Sequence, residues 1–240
     1  MKNFQEIVEV AQEKVLARHQ DDANVIAIFI FGSAIRGGFD QHSDIDFLVI
    51  LKQAQRYARW NFTSDDVSVD VIYETQADTD KFLKDEQRSF RRIGSHMLAH
   101  GKVLLARDTY AKASLTKAKR NLKAKTRVSK SEVLMHLYSI DDFLGNAERD
   151  VERGDSVAFG LDSHLLINNS IELLLKLAGE YLRQPREVRV ILKKTDPKYV
   201  ALLEKFYKAA TENDQVVLLR KLATYVSAEA GGPLPENWTA

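Results

Sequence analysis

Two short apolar runs, joined by a small polar segment, constrain the fold of this chain more than any other feature. Val25–Phe31 and Ile45–Leu51 are rich in β-branched and aromatic residues, and Gly32 ends the first run. Runs of this length and composition are typical of buried β-strands. We therefore predict two central strands of one sheet, separated by a tight turn at Gly32 and a polar connection.

Acidic residues cluster at the start of the second predicted strand. Asp44 and Asp46 are two positions apart, so the strand period of two places both carboxylates on one face. A third acid, Asp70, lies within the β-branched run Val67–Tyr73, where an unpaired charge would be costly. Neighbouring carboxylates raise one another's pKa unless a cation lies between them. The pattern predicts a divalent metal site, and oxygen ligands in this number suit Mg²⁺.

The turn after the first strand is suited to an anion. Gly32 lets a phosphate approach the backbone, and Ser33 offers a hydroxyl and is predicted to cap a following helix, whose exposed N–H groups attract negative charge. Arg36, one turn further on, either adds a cationic contact or is simply solvated. Among the turn residues that precede Asp44, we select Ser43 as a further nucleotide-binding candidate.

These residues resemble the signature of the nucleotidyltransferase superfamily that includes DNA polymerase β and kanamycin nucleotidyltransferase. The shared pattern is Gly-Ser, ten further residues, Asp-x-Asp, and a third Asp on a later strand. The resemblance is greatest to small bacterial members with a helical C-terminal domain. It implies that Gly32 and Ser33 grip phosphate, and that Asp44, Asp46 and Asp70 are the catalytic carboxylates and the ligands of two Mg²⁺ ions.

The order of predicted elements divides the chain in two. Before residue 108, helical and strand patterns alternate, with helices over 4–20 and 78–99 and strands at both apolar runs, at 67–73 and at 102–106. Beyond it, helical periodicity takes over. We predict an α+β protein: a nucleotidyltransferase catalytic domain (1–108), a mixed β-sheet with helices on one side, and a C-terminal α-helical bundle (109–240) that binds the acceptor.

Three further segments leave alternatives open. The polar connection 52–66 contains Trp60 and Phe62, which either anchor a loop or reach the nucleotide base. The stretch 112–130 has eight basic residues and no acid, so it is either a solvated helix face or a contact for a polyanion such as triphosphate or RNA. The helix over 156–182 has one polar stripe, formed by His164, Asn168, Glu172 and Lys176. This stripe is either the solvent-exposed face of the helix or the wall of a cleft.

The resemblance implies an enzyme that transfers a nucleoside monophosphate from an NTP co-substrate to a hydroxyl of a small-molecule acceptor and releases pyrophosphate. An aminoglycoside-like acceptor is one candidate. In aminoglycoside-modifying relatives an acid of the helical domain is the general base, and Asp142 is our candidate, ahead of Asp141 and Glu172. The alternatives are the toxin–antitoxin branch, which modifies a protein or RNA, and a nucleotide-binding regulatory protein. A built-in ribonuclease is disfavoured because His136 and His164 lack an Arg at the required spacing.

Composition narrows the partners. The formal net charge is +1, which predicts no overall attraction to nucleic acid or membrane and leaves only local patches. The chain has no cysteine, so disulfides and thiolate chemistry are excluded and the cytoplasm is the expected compartment. No apolar run reaches the length of a membrane span. The sequence is compatible with a monomer and with a homodimer.

Overall fold

The computed structural model describes residues 4–37, 40 and 42–239. The chain divides into two compact units, Met1–Ala124 and Lys125–Ala240. The first contains every strand of the described residues, and the second is helical, so the predicted α+β class is confirmed. No helix in the described part of the chain is long and apolar enough to cross a membrane.

The first unit is built on one mixed sheet of five strands in the order β3-β4-β2-β1-β5. Strands β2 and β4 are parallel, and the other neighbouring pairs are antiparallel. The strands are β1 (Val25–Phe31), β2 (Ile45–Leu51), β3 (Arg59–Ser64), β4 (Val67–Thr75) and β5 (Lys102–Ala106). The helices are α1 (Phe4–His19), α2 (Ser33–Arg36), α3 (Gln76–Asp85), α4 (Ile93–His100) and α5 (Tyr110–Lys123).

Helices cover both faces of this sheet. On one face α1 packs Val8, Ala11 and Val15 against the central strands. On the other face Leu83 of α3 and Leu98 of α4 pack against them, together with apolar residues of α5. The prediction of helices on one side was wrong, because every residue of β1 is buried and a strand that is apolar on both faces needs a cover on each.

The fifth helix belongs to the first unit. Its Asn121 side chain donates to Leu83 O at 2.7 Å and to Ser95 Oγ at 3.0 Å. The buried guanidinium of Arg92 donates to Asn121 O at 2.5 Å and to Ala124 O at 2.6 Å, and thereby caps the end of the helix. The compact units consequently divide after Ala124, rather than at the boundary after residue 108 that the loss of strand signals indicated.

The second unit contains five helices among its described residues: α6 (Lys130–Arg153), α7 (Ser156–Leu177), α8 (Pro185–Thr195), α9 (Pro197–Lys208) and α10 (Glu212–Glu229). Leu173 and Leu175 of α7, Tyr199 of α9 and Leu219 of α10 are fully buried. The apolar sequence of α7 is thus explained by its position in the core of this unit.

Candidate active site

The candidate site is centred on Asp46, the second residue of β2. Its partner on the parallel strand β4 is Asp70, and its partner on β1 is Phe31, the last residue before Gly32. Because directly paired residues of neighbouring strands project to the same face of a sheet, the carboxylates of Asp46 and Asp70 lie side by side. Asp44 immediately precedes β2 and is exposed.

The turn after β1 contacts the carboxylate of Asp46 directly. Gly32 has a φ of +82°, and a Cβ atom at this position would lie 2.8 Å from Asp46 Oδ2. Both the backbone conformation and the close approach therefore require glycine. Helix α2 begins at Ser33, with Gly32 in the N-cap position and no side-chain capping bond. The prediction that Ser33 caps this helix was therefore wrong: Ser33 is the first helical residue.

Negative charge accumulates around Asp46. Burial raises the pKa of its carboxyl to about 6, and the charges of Asp44 and then of Asp70 add to the effect, while Arg59 opposes it. A carboxyl in this state is stabilised by any cation that approaches it. The donor set of Asp44 and Asp46, with carboxylate oxygens next to a glycine turn, fits a hard divalent ion such as Mg²⁺.

The third carboxylate is already held by two side chains of β3. Arg59 Nη1 lies 3.0 Å from Asp70 Oδ2, and Asn61 Nδ2 donates to Asp70 Oδ1 at 3.1 Å. Within residues 4–37, 40 and 42–239, no three His, Cys, Asp or Glu side chains form a group arranged to hold a metal ion. Participation of Asp70 in metal binding would therefore require its carboxylate to exchange Arg59 for the ion.

Hydrogen bonds among Asp40, His42 and Ser43 form a turn before β2. Asp40 Oδ1 accepts from His42 N at 2.9 Å and from Ser43 Oγ at 3.2 Å, and Ser43 Oγ accepts from Asp40 N at 3.0 Å. Ser43 thus forms part of the turn, and its nucleotide-binding role stays a prediction. Arg36 is exposed at the end of α2. The neighbouring Gly38, Phe39 and Gln41 lie outside the described residues.

Trp60 and Phe62 do not face the carboxylates. They alternate along β3 with Arg59 and Asn61, whose side chains reach Asp70, and therefore project to the opposite face. There Arg18 of α1 lies over the Trp60 ring. The interpretation that these aromatic residues reach a nucleotide at the carboxylate site is wrong, and Arg59–Ser64 forms strand β3 rather than part of a loop.

Asp142, the predicted general base, is exposed on α6. Its charge is felt on the neighbouring helix: burial and the carboxyl of Asp150 raise the pKa of Asp162 most, and the charge of Asp142 adds to this effect. Asp141 lines a separate apolar cavity between α6 and α10 of about 510 Å³. The catalytic role of Asp142 stays a prediction.

The polar stripe of α7 packs in part against α6. Lys176 is buried, and its Nζ lies 3.0 Å from Glu172 Oε1, 3.0 Å from His136 Nε2 and 3.6 Å from Glu132 Oε1. His136 Nδ1 in turn contacts Asn169 Oδ1 at 3.1 Å. This end of the stripe is therefore neither a solvent-exposed face nor an open cleft wall, because the buried ammonium of Lys176 needs the carboxylates of Glu132 on α6 and Glu172 on α7.

Comparison with known proteins supports this description of the first unit. Residues 13–110 match the family model of the polymerase beta nucleotidyltransferases. The fold is similar to that of a nucleotidyltransferase-like protein from Exiguobacterium sibiricum, with a TM-score of 0.55 and 12% identity over 93% of this chain and 77% of that chain. No curated protein matches the chain in sequence.

A second solved structure is more distant. It is spectinomycin adenyltransferase AAD(9) from Enterococcus faecialis with ATP and spectinomycin, with a TM-score of 0.38 and 14% identity over 93% of this chain and 99% of that chain. The family match includes Gly32, Asp44, Asp46 and Asp70, and it confirms both the superfamily and the enzyme class that the sequence predicted. Over residues 13–110, therefore, this chain is similar to the nucleotidyltransferase domain of the polymerase beta family.

Proposed function

We propose that the protein transfers a nucleoside monophosphate from an NTP to a hydroxyl of a small molecule, in a reaction that depends on Mg²⁺ and releases pyrophosphate. The observation that carries the proposal is the pairing of Asp46 with Asp70 across β2 and β4, with Gly32 packed against Asp46. A concentration of carboxylates beside a glycine turn suits a site where metal and phosphate meet.

Each residue has a distinct task in this proposal. Asp44 and Asp46 hold the divalent ion, and Asp70 joins them when it releases Arg59. Gly32 lets the turn backbone approach both the Asp46 carboxylate and a phosphate group, and Ser33 offers its hydroxyl to a phosphate oxygen. When bound, the ion supplies positive charge to the phosphate oxygens and makes the acceptor hydroxyl more acidic.

The transfer itself is a displacement at the α-phosphorus. The acceptor oxygen forms a bond to this phosphorus while the bond from the phosphorus to the bridging oxygen of pyrophosphate breaks, and a base takes the hydroxyl proton. Asp142 is the base that we propose. Asp141 and Asp142 are both exposed on α6, and negative charge of this kind favours a cationic acceptor such as an aminoglycoside.

The experiment that tests this function measures pyrophosphate release from each of the four NTPs with Mg²⁺, in the presence of aminoglycosides and of uncharged polyols. We expect one NTP and acceptor pair to turn over, and Asp46→Asn to lower kcat by at least about 100-fold, since it removes an anionic ligand with little change in volume.

Asp65→Asn is the matched control, because it makes the same change in the exposed turn between β3 and β4 and should keep full activity. Unchanged turnover in Asp46→Asn would contradict the proposed mechanism. Turnover with RNA or a protein acceptor, and none with small molecules, would instead favour the macromolecular acceptor of the alternative reading.

A further inference from the structure

Cations and aromatic rings form a continuous stack on the α1 side of the edge strand β3. Lys14 Nζ lies 4.0 Å from the centroid of Phe62, Phe62 stacks on Trp60 with a centroid distance of 4.5 Å, and the Arg18 guanidinium carbon lies 4.2 Å from the centroid of Trp60. Lys14 and Arg18 are one turn apart on α1, and both are exposed. Interleaved cations and rings of this kind are typical of surfaces that bind nucleotides or single strands.

A cavity of about 530 Å³ lies next to this stack. Arg18, Trp60 and Tyr57 contribute to its walls, and His19, Tyr73 and Gln55 also line it. The buried Tyr73 hydroxyl lies 3.0 Å from His19 Nε2, which fixes one side of the cavity. Its volume is in the range of small-molecule sites, about 300–1,000 Å³.

Two features suit the cavity to a planar anion. The Tyr57 side chain is 61% exposed, with the guanidinium of Arg56 5.4 Å from its ring centroid, so a flat ring system can stack there. The charged residues that line the cavity are Arg18, Arg59 and Asp22, and the Asp22 carboxylate already accepts from Asn24 N at 2.8 Å. Arg59 is paired with Asp70, so Arg18 is the cation of the walls that an anion would meet.

The cavity lies on the opposite face of the sheet from the carboxylates, although Arg59 and Asn61, the partners of Asp70, also line it. Trp60 projects to the α1 face of the sheet, whereas Asp46 and Asp70 project to the other face. The side chains of Arg59 and Asn61 hold Asp70, so we leave both out of the test. We expect a ligand in the cavity to bind without a divalent ion, because its other lining residues do not contact the carboxylates.

We propose that this cavity binds a nucleoside monophosphate unit. Its base stacks on Tyr57 and on the guanidinium of Arg18, and the same guanidinium pairs with its phosphate. The unit is either a free nucleotide or one residue of a single-stranded RNA. Guanidinium groups recognise phosphate and also stack on bases. The Gln55 amide donates to Tyr57 O at 3.1 Å, and its second N–H and its oxygen can bond a base edge. The site is additional to the proposed transfer site and does not depend on it.

The test measures AMP binding in EDTA by calorimetry and by the fluorescence of Trp60. The chain has two tryptophans, and Trp238→Phe leaves Trp60 as the reporter while it keeps a ring beside Tyr138, which Trp238 contacts. We expect saturable AMP binding, with adenosine and ribose 5-phosphate each at least about tenfold weaker, because each lacks one of the two recognised groups.

Two exposed positions supply the variants. Arg18→Met keeps an aliphatic stem over Trp60 and should weaken AMP binding about tenfold, since a charge-assisted contact is lost. Tyr57→Ala should weaken AMP but leave ribose 5-phosphate unchanged, since only the stacking is lost. Arg153→Met at the end of α6 is the matched control for loss of an exposed arginine and should bind AMP normally.

Several outcomes would overturn the proposal: no saturable response to AMP, equal AMP affinity in Arg18→Met, or ribose 5-phosphate that binds as tightly as AMP. Asp46→Asn should bind AMP in EDTA like the parent protein, and a loss there would place AMP at the carboxylate site and also reject the proposal. A short oligo-A RNA that binds more tightly than AMP identifies a strand as the source, whereas weaker binding identifies the free nucleotide.

Discussion

Gly32 packs so closely against Asp46 that a Cβ atom at position 32 would lie 2.8 Å from Asp46 Oδ2. The same glycine has a φ of +82°, which side chains other than glycine rarely adopt. The turn and the carboxylate are therefore packed together, and the backbone after β1 determines where the Asp46 carboxylate lies.

Gly32→Ala is the first test of this contact between the turn and Asp46. We expect it to lower the free energy of unfolding by about 1–2 kcal/mol through backbone strain, and to lower kcat/KM by at least about tenfold because the added methyl displaces Asp46. Denaturant unfolding and steady-state kinetics measure the two effects.

Gly37→Ala is the matched control for Gly32→Ala. Gly37 also has a positive φ, +79°, but a Cβ there would meet no atom within 4 Å. It should therefore show similar strain while it retains most of the activity. Equal losses of activity in the two variants would show that strain in the turn, rather than the position of Asp46, is responsible.

The ion pair of Arg59 with Asp70 yields a second prediction. Because Arg59 occupies Asp70 Oδ2 at 3.0 Å, Arg59→Met should free this oxygen and tighten the binding of Mg²⁺ alone by a few-fold, about 1 kcal/mol or less for a partly exposed pair. Calorimetry without nucleotide measures this change. Arg56→Met, which removes a nearby guanidinium that lies over Tyr57, should leave Mg²⁺ binding unaltered, and weaker binding in Arg59→Met would refute the competition.

A third prediction concerns pH and His136. Burial, and then the charge of Lys176, lower the pKa of His136 below its ordinary value of 6.5. The folded protein thus binds this proton less tightly than the unfolded chain, so the free energy of unfolding should fall as the pH drops below 6.5. His136→Gln should reduce that slope without abolishing it, since the pKa of His19 is also lowered by burial.

The control for His136 is His164→Gln, at an exposed position on α7. Urea unfolding between pH 5 and pH 8 compares the three proteins. We expect His164→Gln to reproduce the pH dependence of the parent protein. A slope in His136→Gln that equals the parent's slope would show that the contact of His136 with Lys176 has no part in acid sensitivity.

The sequence predicted most of the sheet because β1 and β2 are short, β-branched and aromatic runs and β4 alternates with the strand period of two. It missed β3, although Trp60 and Phe62 alternate with polar residues, because the hairpin turn is formed by Asp65 and Asp66 at positive φ values of 47° and 66°. Asn-Gly or Asp-Gly would have been the recognisable signal. Arg59 and Asn61, the partners of Asp70, were missed with this strand.

Other features depend on packing that a single sequence does not encode locally. The spacing of Glu172 and Lys176 correctly predicted a pair one turn apart, which lies at 3.0 Å, but it did not show that α6 covers Lys176. Likewise the loss of strand signals assigned α5 to the second part of the chain, and its basic composition left open a solvated face or a polyanion contact. Its buried Asn121, which bonds Leu83 and Ser95, places it in the first unit instead.

The central claim is that Asp44, Asp46 and Asp70 bring a divalent ion and an NTP together. The most direct measurement is an anomalous difference map from crystals grown with Mn²⁺ and a non-hydrolysable ATP analogue. We predict a peak about 2.0–2.2 Å from carboxylate oxygens of Asp44 and Asp46, with the triphosphate against Gly32 and Ser33. A bound nucleotide whose Mn²⁺ peak lies away from these two carboxylates would contradict the claim.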